Sequence, residues 1–327
     1  MKISNPKIGI TFGDISGIGP EVIIKALHHP KLNKKAEYIL LGHPDIYEKA
    51  CRLVRHGRPK VPHSFFGRFF HGTSEEKTLL KSFSPGKISR VAGCLAIRWI
   101  EQGVEACREG LLNGLVTAPI NKQACHKAGF HFKGHTDFIA DLCGNPSHRM
   151  MFYSKALKVI LVTHHQSLVS SIQDLSVKNI VETILIGNQA MKQFGYPNPV
   201  IHVSGLNPHA SENSAFGDEE KRIIRPAVET ARKIGFNVKG PYPPDTLFRQ
   251  FLNKENTLIV AMNHDQGLIP LKLAAFDSAV NVTAGLPIIR TSPDHGTAYD
   301  IAWKGIAGET SMVEAINLAV RMAGNRG

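Results

Sequence analysis

Three histidines each stand in a short polar stretch just after an apolar run. They are His165 in Thr163-His164-His165-Gln166-Ser167-Leu168 after Val159 to Val162, His209 in Leu206-Asn207-Pro208-His209-Ala210 after Val200 to Val203, and His264 in Asn263-His264-Asp265-Gln266-Gly267 after Leu258 to Met262. Neutral imidazole is the usual protein ligand for a divalent transition metal, and three such ligands leave coordination positions open for a substrate. The apolar runs read as strands, and in open α/β sheets ligands gather past the carboxyl ends of strands. A catalytic metal centre is the first expectation. Its rival is that most of the sixteen histidines are surface or hydrogen-bonded core groups.

Other stretches add anion chemistry. The loop Gly13-Asp14-Ile15-Ser16-Gly17-Ile18-Gly19-Pro20-Glu21 lies between the strand-like Ile8 to Thr11 and a helical run from Val22. Glycines let backbone N–H groups approach a ligand at the positive end of a helix, so this loop reads either as an anion cradle or as a tight turn. Its spacing is neither the dinucleotide fingerprint nor the Walker pattern. Gly134-His135-Thr136-Asp137 suits a helix cap at Thr136 or a phosphate contact. Lys272, Asn281 and Arg290 put two cations and an amide downstream of His264. An ion-pair network is the alternative for the two cations.

The remaining pattern supplies the frame for these groups. Strand-like runs at Glu37 to Gly42, Leu115 to Thr117, Met150 to Tyr153 and Val159 to Thr163 alternate with helical ones at Asp45 to Val54, Arg90 to Glu109 and Val177 to Phe194. A strand at Val200 to Ser204, a helix from Asp218 to Ile234, a strand at Leu258 to Met262, extended segments at Val280 to Thr283 and Pro287 to Arg290, and a closing helix from Met312 to Ala323 follow. Such alternation implies parallel pairing with crossover helices, the α/β class. Gly240 to Pro244 reads as a loop, and Pro59 to Gly86 is illegible. A chain of 327 residues exceeds the usual size of one core, so two domains are expected.

Lys and Arg outnumber Asp and Glu by 39 to 27, a net charge of +12 that suits anionic metabolites. The basic residues are scattered, with no aromatic-interleaved stripe, so nucleic acid is not an expected partner. No apolar segment approaches a membrane span, and Met1 to Gly9 is not a secretory signal. Cys51, Cys94, Cys107, Cys125 and Cys143 contain no Cys-x-x-Cys pair, which fits reduced thiols and a cytoplasmic location.

From about Lys7 to Ala307 the chain resembles the 4-hydroxythreonine-4-phosphate dehydrogenase family of vitamin B6 biosynthesis, which includes 4-phospho-D-threonate and 4-phospho-D-erythronate dehydrogenases. Matching motifs are Gly13-Asp14 with Gly17 to Glu21, Thr117-Ala118-Pro119-Ile120-Asn121-Lys122, Gly134-His135-Thr136, Gly205 to Ala210, Pro244-Asp245-Thr246, His264 to Gly267, Val280 to Pro287 and Ser292 to Ala298. The resemblance implies two α/β/α domains of the isocitrate/isopropylmalate dehydrogenase-like type with a cleft between them. Residues 1–134 plus 286–327 would form the cofactor side, and 135–285 the metal, substrate and dimerisation side.

It further implies one divalent metal (Zn, Mg, Co or Mn) on His165, His209 and His264, two from one subunit and the third from its mate in a homodimer. The family pattern fits His165 better than His164. His135, Thr136, Lys272, Asn281 and Arg290 would hold the substrate, as the fit of Arg and Lys to phosphate also suggests. His295-Gly296-Thr297-Ala298 with Asp300 is similar to the adenosine loop of the isopropylmalate and isocitrate enzymes. NAD or NADP is thus the implied cofactor, with Gly13, Asp14, Gly17 and Gly19 also on the cofactor side.

The implied reaction oxidises 4-phosphooxy-L-threonine to a 3-oxo acid, which decarboxylates to 3-amino-2-oxopropyl phosphate. Lys272, Asp245 and Asp265 are the candidates for proton transfer or for orienting ligands. Two departures bear on the substrate: Ile15-Ser16 stands where Pro-Ala is common, and Ser211 to Ala215 replaces a Gly-Glu-Gly type of sequence. Alternatives are the phosphothreonate or phosphoerythronate reaction, a non-catalytic binder of anionic metabolites, and a metal-dependent phosphohydrolase.

Overall fold

The computed structural model describes residues 5–54, 77, 78, 80, 82–132 and 134–326. The illegible stretch from Pro59 therefore lies largely outside the described residues. Two compact units emerge: Met1–Pro146 with Leu286–Gly327, and Ser147–Gly285. The expected junction at 134/135 is displaced to 146/147, because helix His135–Leu142 packs inside the first unit. Phe138 meets the ring of Phe132 at 4.3 Å, and Arg108 donates to the Leu142 carbonyl at 3.2 Å.

The first unit contains strands β1 (Lys7–Thr11), β2 (Glu37–Leu41), β3 (Gly114–Thr117) and β10 (Arg290–Pro293), in the order β2-β1-β3-β10, with β2 and β3 parallel to β1 and β10 parallel to β3. Ile8, Ile10, Leu40, Leu115 and Val116 are buried, as strands covered on both faces by helices require. Helix Arg90–Arg108 starts where the Ser89 hydroxyl accepts from the Ala92 amide, and its Trp99 meets Phe12 edge-on at 6.1 Å. Helices Gly19–His28, Pro44–Val54, Lys122–Lys127 and Thr310–Gly324 complete the unit.

The second unit contains β4 (Arg149–Tyr153), β5 (Lys158–Leu161), β6 (Val200–Ser204), β7 (Val238–Tyr242), β8 (Thr257–Ala261) and β9 (Val280–Ala284), in the order β9-β4-β5-β8-β6-β7. Pairing is not parallel throughout, since β4 runs antiparallel to both β5 and β9. The short connection from Tyr153 to Lys158 permits only a hairpin, whereas a parallel return needs a crossover of a dozen or more residues. The supposed loop Gly240 to Pro244 begins as β7, an outermost strand where Pro241 is tolerated.

The helix expected from Asp218 to Ile234 is interrupted by a π turn, Glu220–Ile224, before the α-helix Arg225–Lys233. Phe152, Val159, Leu161, Ile259 and Leu271 form this unit's core. In this unit three helices escaped the sequence pattern, as Lys122–Lys127 did in the first: Leu168–Gln173, Pro244–Gln250 and His264–Ala275. The first two are short, and the third contains Pro270 and apolar residues around much of its girth. Among the described residues no helix is long and apolar enough to cross a membrane.

Candidate active site

In the first unit the carboxyl ends of β3 and the start of β10 bring Thr117 and Arg290 together. The guanidinium donates to the Thr117 hydroxyl through Nε at 3.1 Å and through an Nη at 2.8 Å. Arg290 is 2% exposed, and burial pushes its pKa down to about 9. His135 opens helix His135–Leu142 beside it. Burial and the Arg290 charge hold that imidazole well below its ordinary range, and its Nε2 is buried with no hydrogen-bond partner among the described residues.

Thr136 is buried inside the first turn rather than capping it, since the N-cap is Gly134 and no side chain caps the helix. One buried cation, a neutral imidazole and the open N-terminal amides of a helix therefore meet at one corner, an arrangement that favours an anion.

The glycines of the first loop face protein. Gly13 has φ 64°, and a Cβ there would lie 2.4 Å from the Pro119 carbonyl oxygen. At Gly17 the obstacle is Thr297, and at Gly19 the Phe12 carbonyl. The loop clamps the segment that follows His295: the Ile18 amide donates to the Thr297 carbonyl, and the Tyr299 hydroxyl donates to Asp14 at 2.6 Å. Burial raises the Asp14 carboxyl despite the bonds it accepts.

Trp303 donates to the Ile15 carbonyl, while the buried Glu21 accepts from the amides of Gly305 and Ala307. Ala298 is left-handed at φ 42°, Gly296 has open space where a side chain would stand, and Asp300 is exposed. The Nε2 of His295 is buried without a partner among the described residues, and burial lowers its pKa.

In the second unit His165 and His264 line one cavity of about 570 Å³ with Gln166, Leu168, Ser171, Asn263 and Asp265. Their ring centroids are 6.0 Å apart. His164 is not among the lining residues, although its ring is 5.2 Å from that of His165. His264 is the first residue of helix His264–Ala275, whose N-cap Asn263 accepts from the Gln266 amide. Gln266 in turn accepts from the Met262 amide and donates to the Gly205 carbonyl, tying this corner to the loop that bears His209.

Asp265 engages His264 Nδ1 at 2.7 Å, and Glu212 engages His209 Nδ1 at 3.2 Å. A carboxylate on Nδ1 fixes the tautomer and leaves Nε2 for a metal, so the donor set fits a divalent ion.

His209 does not line that cavity, and no cluster of three or more His, Cys, Asp or Glu suited to a metal occurs among the described residues. It sits in an unusual left-handed run from His209 to Ser214, with φ between 43° and 75°. Glu220, fully buried by the π turn, holds the loop by accepting from the amides of Leu206 and Asn207 and from the Asn207 side chain. Asp245 lies in the first turn of helix Pro244–Gln250, which packs against the turn Pro208–Ser211. Lys272 has its ammonium 6.0 Å from the Phe276 ring, and Asn281 is opposite Phe152 in the β4–β9 register.

Sequence reading missed Thr117, Glu212, Glu220, Gln266 and Tyr299. Thr117 was within reach as the first residue of the Thr117 to Lys122 motif. Glu220 gave no signal, because a glutamate in a helical run is ordinarily a solvated group.

A strand-ended α/β scaffold with a cationic corner and paired imidazoles fits an enzyme of anionic metabolites, and comparison with known proteins narrows the class. Residues 34–319 match the family described as "Pyridoxal phosphate biosynthetic protein PdxA". The chain is 41% identical to the D-threonate 4-phosphate dehydrogenase of Salmonella typhimurium, covering 97% of this chain and 98% of that protein. It is 42% identical to the 4-hydroxythreonine-4-phosphate dehydrogenase of Desulforapulum autotrophicum, covering 99% and 97%.

The crystal structure of 4-hydroxythreonine-4-phosphate dehydrogenase from Klebsiella pneumoniae aligns over 98% of both chains, with a TM-score of 0.81 and 36% identity. The chain belongs to the PdxA family and is a dehydrogenase of that type.

Proposed function

We propose that this dehydrogenase oxidises the 3-hydroxyl of a 4-phosphorylated hydroxy acid with NAD or NADP and one divalent metal. The substrate is 4-phosphooxy-L-threonine, and the 3-oxo product loses carbon dioxide to leave 3-amino-2-oxopropyl phosphate. The observation that carries this reading is the Arg290 corner, where a buried cation stands beside an imidazole nitrogen lacking a partner among the described residues. A phosphate monoester supplies the charge and the acceptors that such a corner needs.

The residues divide the work by chemistry. Arg290, His135 and Thr136, with Lys272 and Asn281, bind and orient the phosphate and polar groups of the substrate. His165, His209 and His264 hold the metal (Zn, Mg, Co or Mn), with the set completed across a homodimer. When bound, the metal supplies a Lewis acid that makes the reacting hydroxyl easier to deprotonate and stabilises negative charge on the product side. Asp265 already engages His264 Nδ1 and orients that ring; Lys272 and Asp245 are left to take the proton.

The His295 to Asp300 loop, braced by Asp14 and Glu21, receives the dinucleotide's adenosine, and the partnerless Nε2 of His295 is a polar contact available to it. Leu273, Ile269, Leu168 and Val169 are exposed apolar side chains on the helices His264–Ala275 and Leu168–Gln173, with Phe276 just past the end of the former and Leu273 90% exposed. A patch of that kind next to an incomplete ligand set supports the dimer. Free cysteines suit the cytoplasm.

A second reading, D-threonate 4-phosphate as substrate, is favoured by relatives of that name at the same level of identity. The two substrates differ at C2, amine against hydroxyl. Absorbance of reduced nicotinamide, followed for both compounds and for 4-phospho-D-erythronate with each cofactor, tests the reading; no signal with any pair defeats it. His209→Ala should lose bound metal and turnover together, and retention of both would remove His209 from the ligand set.

A further inference from the structure

The motif Thr117 to Lys122 spans from the hydroxyl that accepts from Arg290 to a lysine for which the reaction above has no use. Lys122 is the first residue of helix Lys122–Lys127, which begins where the Asn121 side chain accepts from the Ala124 amide. Its aliphatic stem crosses to the neighbouring segment, with Cε 3.8 Å from the position a Cβ would take on Gly134. Gly134 is the N-cap of helix His135–Leu142, an extended residue that offers no side-chain cap. The lysine is exposed, and its side chain makes no hydrogen bond or ion pair with another described residue. Asp137, the acidic residue of that helix's first turn, does not pair with it.

Electrostatics makes this placement informative. The N-terminus of an eight-residue helix carries partial positive charge, and its first amides lack intrahelical partners. An ammonium next to that end is repelled by it. The helix that opens with His135 thus has the Arg290 charge acting on the imidazole whose Nε2 is buried and partnerless among the described residues, and the Lys122 stem beside its N-cap residue Gly134. A bound anion reverses the sign of every one of these interactions.

We propose that Lys122 is a substrate-binding residue for the phosphate group, closing the solvent side of the corner that Arg290 and His135 close from within. The inference rests on the phosphate assignment of that corner and adds a specificity element to it. Lys122 attracts a phosphate dianion from solvent and contributes to the preference for phosphorylated over unphosphorylated hydroxy acids. Its flexible, exposed ammonium acts as a point charge, whereas the fixed guanidinium of Arg290 sets geometry.

The test uses the whole enzyme with Lys122→Met, Lys122→Arg and Arg290→Lys. Affinity for inorganic phosphate is measured by calorimetry, and kcat and KM with the phosphorylated substrate are measured at low and moderate salt. Lys122→Met should weaken phosphate binding and raise KM about tenfold, leave kcat within about twofold, and flatten the salt dependence of KM. Lys122→Arg should restore most of the loss.

If Arg290→Lys impairs phosphate binding while Lys122→Met leaves phosphate affinity and KM unchanged, the role of Lys122 is refuted and the corner stands. If neither Arg290→Lys nor Lys122→Met alters phosphate binding, or the wild type binds no phosphate, the corner's assignment falls and the role of Lys122 falls with it. Because Lys122 is exposed, loss of fold is not an expected cause of a null result.

Discussion

Arg290 in the first unit is 2% exposed and bonded to Thr117, whereas in the second unit the side chains of His209 and His264 are 63% and 40% exposed. The first group is finished by its own unit: strand ends, a helix start and a threonine hydroxyl hold the cation in place and leave one kind of occupant to complete it. The second is oriented but incomplete, with carboxylates fixing two imidazoles that share no three-ligand cluster within the described chain. A buried charge must be preorganised, because misplacement leaves it desolvated and unpaired. Exposed imidazoles keep their hydration and carry no such cost, so they can stay open where the buried guanidinium cannot.

The comparison breaks most directly at Arg290. Arg290→Met should lower kcat/KM by about a thousandfold, as loss of two charge-assisted hydrogen bonds to the substrate implies, without lowering the melting temperature, since the desolvation cost of a buried charge is removed along with its bonds. Steady-state kinetics beside a thermal melt decides it. Unchanged kinetics with a depressed melt would make Arg290 structural and erase the contrast.

Acid asks whether the second unit's looseness lies in its ligands or in its scaffold. His202 on β6, the strand that leads to the His209 loop, is 4% exposed, stacks on Phe251 at 3.6 Å, and is pushed down to about 4 by burial and by Lys239. Below the ordinary value of 6.5 the unfolded chain takes up a proton that the folded chain refuses until about pH 4. Stability therefore falls as pH drops through that window, by on the order of 3 kcal/mol, and is regained above it. Denaturant unfolding from pH 7 to pH 4 should show this dependence reduced in His202→Gln; equal slopes in both proteins would clear His202.

Asp265→Asn should weaken metal affinity by about 10- to 100-fold, measured by competition with a chromophoric chelator, while phosphate binding at the Arg290 corner is unchanged. Coupled losses would show that the two sites are not separate devices. The smallest effect is expected at Ser214, which sits at φ 75°. Ser214→Gly should stabilise by about 1 kcal/mol, read as a higher denaturation midpoint, because glycine occupies that region without the Cβ penalty. A destabilised variant would mean that the serine side chain earns its place by a contact worth more than the strain.

Legibility followed the range of the forces involved. The position of the three histidines just past strand ends could be read because a buried strand and a polar tail differ in local composition, and the helix start near His135 because a glycine before a polar run is a local signal too. The boundary at 146/147 was missed because it depends on Phe132 and Phe138 meeting, and the antiparallel course of β4 because a short connection decides it rather than propensity. Thr136 looked like a cap, yet the helix begins one residue before it at His135.

The sequence by itself determined the class of fold, through alternating apolar periods, and the inventory of imidazoles, cations and hydroxyls, because composition within a few residues is all that such patterns need. Tertiary structure alone decided which of them work together: Thr117 with Arg290, Glu220 with the His209 loop, Asp14 with Tyr299. Those pairs are separated along the chain by distances that no local rule spans, and their alignment comes from strand register and helix packing.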